Sequence, residues 1–119
     1  MNVLIVESRP ELATLWSKHL ERHGMVVDQA TGQGDAVDYL SAHCPDIIVL
    51  DLVLKDGSAL AVADFASYRR PDARVIFVTD TTFFSDGSIF NHASNACAFL
   101  PASTLPEDLA AMVEHYATN

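Results

Sequence analysis

The sequence predicts an α/β fold: a five-stranded parallel sheet with helices on both faces. Three observations carry this prediction. Short, continuous, β-branched apolar runs recur along the chain, the pattern of strands covered on both faces. Longer segments with apolar residues at helical spacing lie between them. Strand and helix alternate five times, and the connections are too short for anything but right-handed βαβ crossovers.

Taken in order, Val3 to Val6 is the first strand. Leu12, Leu15, Trp16 and Leu20 form a helical stripe with Trp16 in the core, and His23 and Gly24 supply the stop. Met25 to Val27 is a second short strand, and Ala36, Val37 and Leu40 mark a helix ended by Pro45. Ile47 to Leu50 is the strongest buried strand. Beyond the turn at Asp56 and Gly57, Leu60, Ala61, Phe65 and Tyr68 mark a third helix that stops before Pro71. Arg69 and Arg70 at its end complement its dipole. Val75 to Val78 is the fourth strand, and Ile89, Phe90 and Ala93 suggest a short fourth helix. Ala96 to Leu100 forms the fifth strand. Thr104 and Glu107 match a capping box opening a fifth helix, whose stripe is Leu109, Met112, Val113 and Tyr116.

Composition narrows the function. Half of the 119 residues are hydrophobic and 19% are charged, which excludes disorder. Sixteen acidic residues against seven basic ones give a net charge of -9, so neither nucleic acid nor an anionic membrane is an expected partner. A cation or a basic partner patch suits this surface better. Cys44 and Cys97 lie far apart among apolar neighbours and are expected as buried free thiols. No apolar run approaches the ~20 residues of a membrane span, and Met1 leads directly into a strand. A cytoplasmic protein is expected.

In an open α/β sheet, ligands bind beyond the carboxyl ends of the strands. The residues there are Glu7 and Ser8 after strand one, Asp51 after strand three, Thr79 and Asp80 after strand four, and Phe99 to Ala102 around the end of strand five. Glu7, Asp51 and Asp80 are thus expected to converge. Clustered carboxylates repel, so the fold must tolerate that cost or screen it with a cation. One such acid is unremarkable in a solvated loop; three at strand ends mark a site.

In this order and spacing, the stretches Val3 to Pro10, Asp46 to Asp51, Leu54 to Gly57, Val75 to Thr79 and Ala96 to Pro101 resemble a bacterial two-component response-regulator receiver domain. The resemblance covers the whole chain, so residues 1–119 are expected to form a single receiver domain with no output domain, its sheet in the order 2-1-3-4-5. It implies that Asp51 is a phosphoacceptor attacking a phosphohistidine or a small phosphodonor, with Thr79 as switch hydroxyl and Phe99 as switch aromatic. It also implies Mg2+ held by Glu7, Asp51 and the Val53 backbone carbonyl. The implied partners are a histidine kinase or phosphotransfer protein, and a downstream protein docking on the fourth helix, fifth strand and fifth helix.

Three residues depart from the family pattern. Ser8 stands where a metal-ligating aspartate is expected, Ala102 where a lysine is expected, and Asp80 where a small residue is usual. Each weakens anion or metal binding, so Mg2+ affinity is expected to be low. Asp80 can serve as a replacement metal ligand and Lys55 can swing toward the site, although a solvated Asp80 and an exposed Lys55 are the simpler readings. Two forms therefore stay open: a receiver phosphorylated at Asp51 with impaired chemistry, and a degenerate module read out without phosphate. A flavodoxin-like electron carrier would need an amide-rich phosphate loop after strand one, where the chain instead has two acids and Pro10. No nucleophile–base–orienter set suggests a hydrolase. His19 and His23 read as ordinary helix residues rather than metal ligands, and Phe83 and Phe84 as a cover for the sheet end or as partner anchors.

Overall fold

The computed structural model describes residues 1–79 and 95–118. Five short segments, each five or six residues long, form strands: β1 (Asn2–Val6), β2 (Val26–Ala30), β3 (Ile47–Asp51), β4 (Arg74–Thr79) and β5 (Ala96–Pro101). All neighbours pair in parallel in the order β2-β1-β3-β4-β5, which is the predicted topology. The helices are α1 (Pro10–Arg22), α2 (Gln33–Ala42), α3 (Ala59–Arg69) and α4 (Pro106–Thr118). The short helix expected around Ile89, Phe90 and Ala93, together with Phe83 and Phe84, lies outside the described residues.

Successive strand side chains point to opposite faces, so one run feeds two cores. Leu4, Val6, Ile48, Leu50 and Phe77 pack with Leu40 of α2 and Val62 of α3. Val3, Ile5, Ile47, Val49 and Ile76 pack with Trp16 and Leu20 of α1 and Leu109 and Val113 of α4. Central β3 is buried along its entire length.

Several local expectations are corrected. The buried face of α3 is Ala59, Val62, Ala63 and Ala66, while Tyr68 is 83% exposed and Leu60 is also exposed. Arg69 and Arg70, at the end of α3, also serve α2: Arg69 Nη2 donates to Ser41 O at 3.1 Å, and Arg70 Nε to Leu40 O and His43 O at 3.0 and 2.8 Å. Carbonyls at the end of α2 have no intrahelical donor, and these guanidinium groups supply one. The last helix starts at Pro106, with Leu105 O accepting from Asp108 N and Leu109 N, so Leu105 and not Thr104 holds the cap position. Both cysteines are free, but Cys44 is exposed and Cys97 only half-buried.

Candidate functional site

Parallel pairing aligns the carboxyl ends of β1, β3 and β4, because Val6 is in register with Leu50 and Asp51 with Val78. Glu7, Asp51 and Thr79 therefore meet at one edge, and all three are buried, with exposures of 1%, 4% and 7%. Asp80 lies outside the described residues.

Two adjacent buried carboxylates are costly unless paired. Arg9 does the pairing. Its Nε lies 2.7 Å from Glu7 Oε1 and its Nη2 lies 3.1 Å from Asp51 Oδ2. The other oxygens are also engaged: Ser8 N donates to Glu7 Oε2 at 3.1 Å, and Val53 N to Asp51 Oδ1 at 2.9 Å. Burial pushes the Glu7 carboxyl up to about 7, and the Asp51 carboxyl adds to the shift while Arg9 opposes it.

Ser8 has a structural task here. Its hydroxyl donates to Thr31 O at 2.8 Å and accepts from Lys55 N at 3.0 Å, joining the loops after β1, β2 and β3. The loops after β1 and β3 surround an open cleft of about 270 Å3 whose walls include Glu7, Ser8, Arg9, Asp51, Val53 and Lys55. Lys55 is exposed, as expected, yet it lines the cleft. Ala102 N donates to Thr79 O at 2.9 Å, tying the end of β4 to the turn after β5. Phe99 stacks on buried Phe77, with ring centroids 5.1 Å apart. His19 and His23 join no metal-binding group: among the described residues, no three His, Cys, Asp or Glu side chains are placed to hold an ion.

The family description "Response regulator receiver domain" matches residues 3–113. The chain belongs to the response regulator receiver domain family. As a receiver it is a signalling module of two-component systems rather than a catalytic enzyme, and receivers work with histidine kinases. It is 32% identical over 77 residues to the photosynthetic apparatus regulatory protein RegA of Cereibacter sphaeroides, covering 65% of this chain and 41% of RegA. It is 32% identical over 75 residues to the regulatory protein LuxO of Vibrio vulnificus, covering 63% of this chain and 17% of LuxO. The receiver thus spans less than half the length of these relatives. A CheY-like receiver from Methanospirillum hungatei superposes with a TM-score of 0.90 at 20% identity, over 98% of this chain and 93% of the other. TrrA from Thermotoga maritima, solved with Mg2+-BeF, gives 0.84 at 21% identity over 97% of both chains. No helix among the described residues is long and apolar enough to cross a membrane.

Receiver domains typically bind Mg2+. The described donor set does not fit that ion. Mg2+ requires near-octahedral oxygen ligands at about 2.0–2.1 Å. In this receiver all four oxygens of Glu7 and Asp51 already accept hydrogen bonds, and the Arg9 guanidinium spans the pair. The Ser8 hydroxyl is both donating and accepting elsewhere. Sequence reasoning assigned Arg9 no role. The available signal was a lone basic residue two positions after Glu7, in the loop where acids were expected to converge.

Proposed function

We propose that this receiver is phosphorylated on Asp51 by a histidine kinase or phosphotransfer protein in the cytoplasm, and signals through protein contacts. One observation carries the reading: a carboxylate at the end of the central strand opens onto a cleft flanked by two cationic side chains, Arg9 and Lys55. An Asp51 oxygen would form the new O–P bond as the P–N bond of phosphohistidine breaks, and the departing imidazole would take up a proton. The cations stabilise the charge on the transferring group. Thr79 and Phe99 would then relay the change, Thr79 from the adjoining strand end and Phe99 from its stack on Phe77.

A second reading is a degenerate module that binds partners without phosphate. It draws support from Ser8 and Ala102, which replace a carboxylate and a cation, and from the engagement of both Asp51 oxygens. Intact-mass spectrometry after incubation with a small phosphodonor separates the two. Wild type is expected to label slowly and incompletely, and Asp51→Asn not at all. Ser8→Asp with Ala102→Lys and Asp80→Ala should label markedly more. If even that variant stays unlabelled, the phosphate-independent reading replaces the first.

A further inference from the structure

Arg9 breaks a local rule. It occupies the cap position of α1, where Ser, Thr, Asp or Asn is favoured, and its side chain makes no capping hydrogen bond. A cation is also on the wrong end of the helix dipole there. Its backbone is nonetheless well held: φ and ψ of -92° and 105° are the extended values favoured before proline, and its carbonyl accepts from Ala13 N at 3.0 Å. Pro10 at the first helical position and the first turn of α1 thus fix where the side chain starts. The guanidinium then bridges Glu7 at 2.7 Å and Asp51 at 3.1 Å, the latter 42 residues from Arg9 in sequence. Arginine is chemically suited to this task, because its planar fork presents several fixed donors and it stays protonated at all relevant pH values.

We propose that Arg9 is a built-in counter-ion that takes the place of a resident divalent cation between Glu7 and Asp51. The site then holds no Mg2+ at rest, and its bridging positive charge is covalently attached to the chain. The same guanidinium supplies countercharge to a phosphoryl group on Asp51, a part of the inference that rests on the phosphoacceptor reading. The exclusion of metal does not rest on it.

Metal binding is therefore measured directly, by calorimetric titration with Mg2+ alone and by melting temperature with Mg2+ or a chelator. Wild type should give no saturable binding at millimolar Mg2+ and no shift in melting temperature. Arg9→Ala should melt lower in chelator and recover as Mg2+ is added. In a Ser8→Asp background, which restores a carboxylate, Arg9→Ala should tighten Mg2+ binding by about tenfold or more. Arg9→Gln, which keeps donors without charge, replaces Arg9→Ala if that variant does not fold. Equal Mg2+ affinity with and without Arg9 in both backgrounds would overturn the proposal, as would a wild type stabilised by Mg2+. Failure of Asp51 labelling beside a clear Arg9 effect on metal binding removes only the phosphoacceptor reading.

Discussion

Burial raises the pKa of Glu7, and the neighbouring Asp51 carboxyl adds to the rise while the Arg9 guanidinium opposes it. The folded value is about 7 against an ordinary 4.5, so between those values the folded chain holds a proton that the unfolded chain has lost. The contribution of Glu7 to stability is complete below about 4.5 and disappears as pH rises through about 7. Glu7→Gln should therefore gain in melting temperature relative to wild type as pH rises across that window. A constant difference between the two proteins would contradict the shift. At this scale the sequence was only half legible. Glu7 and Asp51 could be placed by strand ends, since each directly follows an apolar run. Arg9 could not be paired with Asp51, because no local pattern encodes a contact across 42 residues.

Strands β1, β3 and β4 were legible because burial on both faces leaves an uninterrupted apolar run, as in Ile47 to Leu50. Helix α3 was legible as a helix but not in its orientation. Its buried stripe is built largely from alanine, while the larger Leu60 and Tyr68 that marked the helix are exposed. Arg70 likewise pointed to its own helix by proximity, although it binds the end of α2. Arg70→Ala should cost about 1–2 kcal/mol in urea unfolding, from lost charge-assisted bonds to Leu40 O and His43 O. Arg69→Ala, at an exposed position with one such bond, should stay within about 0.5 kcal/mol of wild type. The loop after β3 makes a sharper demand. Gly57 has φ +87°, and a Cβ there would fall 2.3 Å from Gln33 Cβ. Gly57→Ala should cost at least about 1–2 kcal/mol from the left-handed backbone alone. Adding Gln33→Gly should relieve the clash but leave that backbone cost, so a full rescue would contradict this account.

Over the whole molecule, alternation of short apolar runs with helices was enough to obtain a parallel sheet covered on both faces, and the family resemblance supplied the order of its strands. The three inner strands β1, β3 and β4 are paired on both edges, whereas β2 and β5 each have one free edge among the described residues. Amide hydrogen exchange should accordingly be slowest in β1, β3 and β4 and faster in β2, whose burial is confined mostly to Ala30. Slowest exchange in β2 would be incompatible with this order. The division of the core by the sheet also has an optical consequence. Trp16 is the single tryptophan of the chain and packs on the α1 and α4 side, while Phe99 stacks on Phe77 on the side of α2 and α3. Intrinsic emission therefore observes one side only. A spectral change on loading the cleft would report a movement transmitted through the sheet, and a rotation of Phe99 that stayed on its own side would be silent.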